Sequence, residues 1–314
     1  MKIFHFLFIL CTLILSACVT APTATVVPVI DTQTPRPTFT ITATVTETPP
    51  ATFTPTPNVA PLPAGSFSPI LYREYADRYY SFKILGGVRD GAWITDDDVV
   101  QQIRYDQPYA VYSSRGFTAS AAISNIDSVE PPYCGSYYVG SDLTDDSSVL
   151  FGFVQGWQVT TRPVEDIAAD SPVYQQAVAD WLIAQGMAQP EVDITRILRT
   201  DIEGDGTDEV FISASHFAST VMPVTAGGDY SIVLMRKVNG SEVITTPLVA
   251  DVYLSAQPEA TYPYTYVLND FLDLNQDANL EVLIKVTRWE GMGVMVYEVK
   301  DGSIVQAIKE ICPE

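Results

Sequence analysis

The chain has 314 residues, 38 acidic side chains against 17 Lys and Arg, and a formal net charge of −21. No basic cluster breaks the acid, so nucleic acid is excluded and anionic lipid surfaces are poor partners, because phosphate binding needs Lys and Arg. With only two histidines, and no HExxH, three-histidine or GxSxG pattern, the familiar metallohydrolase and serine-hydrolase chemistries lack their residues.

Residues 1–18, MKIFHFLFILCTLILSAC, place Lys2 before an apolar run. That run is shorter than the ~20 residues of a spanning helix and fits a signal-peptide core. Its end, Leu15-Ser16-Ala17-Cys18, resembles a bacterial lipobox. The resemblance implies cleavage before Cys18, lipidation of that thiol and a membrane anchor; the other reading is an ordinary secretory signal. Two or more acyl chains anchor stably, so the mature protein is expected outside the cytoplasmic membrane, on the cell surface. Residues 19–66 are Thr, Pro, Ala and Val with almost no charge. Proline fixes φ and removes donors, so a disordered, semi-extended stalk is expected. Its 48 residues at ~3.1 Å each would reach on the order of 150 Å.

Residues 67–190 are expected to form a β-rich region ending in an amphipathic helix. Tyr79–Leu85 reads as a strand ending in a turn at Gly86-Gly87; the spacing GGVRDG does not match the GxGxxG phosphate cradle. Ile94–Ile103 reads as a short helix capped by Thr95, with Asp96, Asp97 and Asp98 complementing its dipole. Those three acids are a surface feature or, alternatively, a further metal cluster. Tyr109–Ser113, Phe117–Ile123 and Val149–Thr160 read as strands. Ser171–Met187 reads as a helix, with Ser171 as cap, Pro172 at the first position and Gly186 as the stop. Val173, Tyr174, Ala177, Val178, Trp181 and Leu182 form its apolar stripe, expected to cover a sheet.

The stretch DIEGDGTDEVFI, Asp201–Ile212, carries carboxylates at loop positions 1, 3, 5 and 9: Asp201, Glu203, Asp205 and Glu209. A hard cation such as calcium takes six to eight oxygens. A tight loop supplies them from alternate side chains and the position-7 carbonyl, here that of Thr207, with Gly206 at a corner that favours φ > 0. The figure recurs in DLNQDANLEVLI, Asp273–Ile284, with Asp273, Asn275, Asp277 and Glu281, and Asn279 at position 7. Ala278 replaces the glycine, and one carboxylate is missing. The second loop is therefore expected to be the weaker site or an empty turn. Position 12 is Ile212 or Ile284 rather than the Glu of an EF-hand, and the flanks favour strands over helices.

These loops resemble the calcium loops of FG-GAP and VCBS-type repeats, the blades of integrin-α-like β-propellers. The resemblance covers about residues 194–308 and implies one or two calcium ions on the positions just named. Each repeat reads strand, loop, strand, strand, turn, strand, closing on Asn239-Gly240 or Asp301-Gly302, both hairpin signals. The loops are 72 residues apart and the turns 62, so the first repeat holds ten extra residues between Ile212 and Ser231. An insertion of this kind maps to a surface loop and is the expected partner contact.

The expected fold is mainly β with a few helices. Two four-stranded propeller-like repeats occupy residues 191–314, after a less regular β-rich half, all of it one globular domain. Cys134 and Cys312 remain after signal removal and lipidation of Cys18, and an even pair outside the cytoplasm favours a disulfide between them. Two free thiols are the rival reading. His216, the single histidine outside the signal, reads as a surface residue rather than a catalyst. The function expected is a lipid-anchored, monomeric calcium-binding module that meets a glycan or an envelope or surface protein, not an enzyme. The alternative is a glycan-directed extracellular hydrolase using a carboxylate pair, with structural calcium.

Overall fold

Strands buried on both faces read as near-continuous apolar runs; VFISA, SIVLM and VLIKV, each holding a single polar residue, are such runs, and they lie in stacked antiparallel sheets. The computed structural model describes residues 65–74, 81–129, 136–143, 149–219, 224–257, 262–289, 291–300 and 302–311. The signal-type segment with Cys18, the expected stalk up to residue 64, Cys134, Cys312 and Asp301 lie outside the described residues. So do the lipidation and the disulfide expected of those cysteines.

The first sheet is built from β1 (Phe67–Glu74), β2 (Ser81–Arg89) and β3 (Ala92–Ile94), then, after the short helix α1 (Asp96–Val100), β4 (Tyr109–Ser113), β5 (Gly116–Ala121), β6 (Ile123–Val129), β7 (Ser136–Ser141) and β8 (Val149–Val154). Its order is β5-β4-β8-β1-β2-β7-β6, with β3 beside β2. The second follows as β9 (Glu165–Ile167), helix α2 (Pro172–Ala184), β10 (Ile194–Thr200), β11 (Glu209–His216), β12 (Tyr230–Asn239) and β13 (Glu242–Val252), ordered β13-β12-β11-β10-β9. The third is the meander β14 (Thr265–Leu272), β15 (Glu281–Arg288), β16 (Gly291–Lys300) and β17 (Ser303–Ile311). The expectation of a mainly-β chain with two helices and two four-stranded repeats holds, β9 adding a fifth strand to the first repeat.

Alternation along the strands sorts side chains into layers. In β11, Phe211 joins the core shared by the second and third sheets, while Ile212 and Ala214 face α2. In β15, Val282, Ile284 and Val286 face the second sheet, and Leu283 faces the first. The stack therefore runs α2, second sheet, third sheet, first sheet, α1. Phe211 and Phe271 meet across the central interface with ring centroids 4.8 Å apart at 54°. Val178 and Leu182 of α2 are fully buried on the second sheet, as expected, but Val173 is 65% exposed and drops out of the stripe.

Three local expectations change. The strand through Phe82 does not end at Gly86-Gly87; β2 runs through both and turns at Asp90-Gly91, where φ is positive (51° and 79°). Those glycines serve close packing: a Cβ on Gly87 would come within 2.7 Å of the Ser68 carbonyl. The expected strand Phe117–Ile123 is two strands, β5 and β6, broken at Ala122, whose amide donates to Asp142. The expected strand Val149–Thr160 stops at Val154, and residues 155–164 cross to the acidic loops as unpaired chain.

Candidate metal centre

Each acidic loop begins one residue past a strand and ends on the first residue of the next. Asp201 follows β10 and Asp273 follows β14, whereas Glu209 opens β11 and Glu281 opens β15. That start buries both glutamates, and their carboxylates turn back on the loop. Glu209 accepts the Ile202 amide at 3.1 Å, and Glu281 accepts the Leu274 amide at 2.6 Å. Asp201 accepts from the amides of Gly204 (2.7 Å), Asp205 (3.1 Å) and Gly206 (2.9 Å). Asp273 likewise accepts from Gln276 (2.7 Å) and Ala278 (3.2 Å). Asp205 takes the Thr207 amide and Asp277 the Asn279 amide, so the two copies share one conformation.

This conformation needs two left-handed corners per loop. Gly204 and Gly206 supply them in the first (φ 72° and 85°), Gln276 and Ala278 in the second (φ 64° and 70°). The Ala278 departure is legible in the sequence; the Gln276 one emerges only with Gly204 identified as a second corner.

The loops lie against each other. The Leu280 amide donates to the Ile202 carbonyl at 2.8 Å. Arg162, on the unpaired crossing segment, donates to the Ile202 carbonyl at 3.0 Å and also to that of Ala278. Trp157 of the same segment donates to the Leu274 carbonyl at 3.2 Å, and the Asp273 amide donates to the Thr160 carbonyl at 3.3 Å. A groove of about 520 Å³ opens beside them, with Glu203, Asp205 and Asn239 on one repeat and Asn279 and Lys300 on the other.

Charge separates the two copies. Lys237 of β12 reaches into the first loop. Its ammonium pairs with Glu203, lies 3.1 Å from Glu209 Oε1 and 4.0 Å from Asp205. Oε1 of Glu209 is buried, makes no hydrogen bond of good geometry and faces this ammonium. Burial pushes the Glu209 carboxyl up to about 7, with Asp205 and Asp201 adding to the rise and the Ile202 amide opposing it. The second loop has no such insertion: Asn275 donates to Glu298 at 2.8 Å. Lys300 touches Asp277 at 3.4 Å from the rim, with its own side chain 63% exposed. Asp273 is pushed up to about 6, chiefly by burial, and Glu281 well above the usual range by burial and by Asp273, Asp277 and Glu298.

A buried set of carboxylate and amide oxygens with too little positive charge is what a hard divalent cation satisfies, and the second loop holds buried acid with no ammonium among it. The first loop, with an ammonium among its carboxylates, does not fit as arranged.

A third group joins side chains not linked by the sequence reading. Glu191, Asp193 and His216 bring donor atoms within 4.8 Å of one another, close enough to share a metal ion. His216 Nδ1 is 2.8 Å from Asp193. The Asp193 carbonyl accepts the Ser215 amide, which seats the acid next to His216 at the end of β11. Pairing between β10 and β11 makes this cluster, so only the register could have revealed it. Tyr230, stacked on His216 at 6.3 Å, donates to the Glu191 carbonyl and accepts the Asp193 amide. The connection between β11 and β12 is where the ten-residue insertion was expected, and of its described residues Ala218 and Ala226 donate their amides to buried Asp229. Asp96–Asp98 form the first turn of α1, which Thr95 caps: the Asp98 amide donates to Thr95 Oγ1, and Tyr137 donates to Asp97.

No protein-family model, curated protein or solved structure matches this chain.

Proposed function

We propose that this protein is a lipid-anchored, extracytoplasmic binding module. It would hold calcium in the Asp273 loop and meet its partner, a glycan or envelope protein, at the end where the two acidic loops adjoin. One observation carries the reading: the two loops are bonded to each other and border one groove, with acid buried in the second loop. Asp273, Asn275, Asp277 and Glu281 would supply side-chain oxygens and Asn279 its carbonyl. The ion would neutralise acid that otherwise repels itself and would stiffen the groove wall. The lipobox-like Leu15–Cys18 and the Thr/Pro-rich segment support an anchor and spacer. The FG-GAP/VCBS resemblance supports calcium over other cations.

The full chain, purified in detergent, tests this by thermal unfolding in millimolar calcium, magnesium and chelator, followed by a glycan array in calcium. At ten to a hundred times the dissociation constant, calcium adds roughly 1.4–2.7 kcal/mol. An upward shift with calcium alone, and retention of glycans without release of product, is the expected result. No calcium shift removes the cation from the reading. Glycan cleavage lost on changing one acid outside both loops replaces the module with a hydrolase.

A further inference from the structure

The two repeats align one residue differently by sheet pairing than by their Asn239-Gly240 and Asp301-Gly302 motifs, because Asn239 pairs with Glu242 as Lys300 pairs with Ser303. Val210 pairs with Arg236 and Phe211 with Met235; Val282 pairs with Tyr297 and Leu283 with Val296. One step further along each ladder, Glu209 stands opposite Lys237 and Glu281 opposite Glu298. The position facing the buried loop glutamate is therefore an ammonium in the first repeat and a carboxylate in the second. Both side chains enter their loops, Lys237 onto Glu209 and Glu203, Glu298 onto Asn275.

We infer that Lys237 is the resident cation of the Asp201 loop, so that the pair of loops takes one divalent ion rather than two. A fully buried Glu209 needs a countercharge, and Lys237 brings one on a strand fixed between two neighbours. Its side chain is only 24% exposed and that of Glu203 13%, so the pair is held out of bulk water. Three carboxylates around one ammonium leave no place for a calcium ion unless Lys237 withdraws, and its four-carbon stem lies along the wall of the groove. The first repeat thus keeps the loop conformation without a metal, and the second retains the acid. That the single ion sits in the Asp273 loop rests on the function proposed above; the role of Lys237 does not.

The test is calorimetric titration of calcium chloride into the full chain and two charge swaps, Lys237→Glu and Glu298→Lys. The expected stoichiometries are one ion for the wild type, two for Lys237→Glu and none for Glu298→Lys. Lys237→Met runs in parallel, with circular dichroism as the fold control, in case the glutamate unfolds the repeat; it too should bind two. Two ions in the wild type, or no added ion in a folded Lys237 variant, overturns the inference. No ion in the wild type with one in the Lys237 variants upholds Lys237 as the resident cation and instead overturns calcium in the Asp273 loop.

Discussion

Arg162 is the residue on which the meeting of the two loops turns, and its removal can be worked through. Its guanidinium donates to the Ile202 and Ala278 carbonyls, on residues that are 0% and 2% exposed. Hydrogen bonds from a charged donor are worth about 1.5–3 kcal/mol each. Ile202 keeps the Leu280 amide as a second partner, whereas Ala278 has no other donor recorded at its carbonyl. Arg162→Ala should therefore destabilise the protein by about 3–4 kcal/mol, the larger part from the Ala278 side. For a domain of this size that lowers Tm by roughly 6–15 °C. Arg162→Lys should recover less than half, because an ammonium lacks the planar fork that spans two carbonyls. Gly204 supplies an internal check. A Cβ there would collide with the Arg162 guanidinium, so Gly204→Ala displaces the same group. In urea unfolding the two changes should be clearly non-additive, the double variant costing little more than the worse single one. A Tm within about 1 °C of wild type for Arg162→Ala, or additive costs, would refute the view that this side chain joins the loops.

Further expectations concern acid, packing and strain. Asp273 and Glu209 hold pKa values of about 6 and about 7, above their usual 3.8 and 4.5. A carboxyl raised by folding costs stability once ionised, so the cation-free protein weakens as pH rises from about 4 through 7. In chelator, Tm should be several degrees higher at pH 5.5 than at pH 8, and calcium should remove the share due to Asp273 but not that due to Glu209; a lower Tm at pH 5.5 contradicts this. Phe271→Ala empties the central interface opposite Phe211 and should cost about 3–5 kcal/mol in urea unfolding. A loss below 1 kcal/mol would mean that the two repeats do not depend on each other there. Ala278→Gly relieves a left-handed alanine, a gain of up to about 1 kcal/mol after the added chain entropy is subtracted. Its Tm should rise by one to three degrees, and a fall would show that the lost methyl outweighs the strain.

What the sequence discloses here is what local chemistry decides. Asp201–Ile212 and Asp273–Ile284 are legible because a glycine-assisted corner and alternate acids act within nine residues. Asn239-Gly240 and Ser171-Pro172 are legible for the same reason; the helix starts where expected, whereas the hairpin turns one residue later, on Gly240-Ser241, because Asn239 pairs with Glu242. The first sheet is far less so: β5 and β6, GFTASA and ISNIDSV, hold few large apolar residues, and β1 pairs with β8 across a long separation. The Lys237/Glu298 exchange is hidden by a one-residue offset at the first hairpin, where Asn239 pairs with Glu242 as Lys300 pairs with Ser303. Aligned on their Asn-Gly and Asp-Gly motifs, the repeats set Lys237 against Val299; only the pairing sets it against Glu298. The Glu191–Asp193–His216 group is equally a product of pairing and carries no spacing that a linear reading could find.

The third sheet lies between the other two and is made wholly from residues 265–311, the end of the chain. A polypeptide that emerges amino-terminus first presents the inner faces of the first and second sheets before anything exists to cover them. Phe211 and Met235 stay without their partners until β14 and β15 are made, and Phe151 and Phe153 until the third sheet covers them. Synthesis of residues 265–311 is then the event that completes this core. Loss of even the final strand should yield a sticky, protease-sensitive chain rather than a shortened domain.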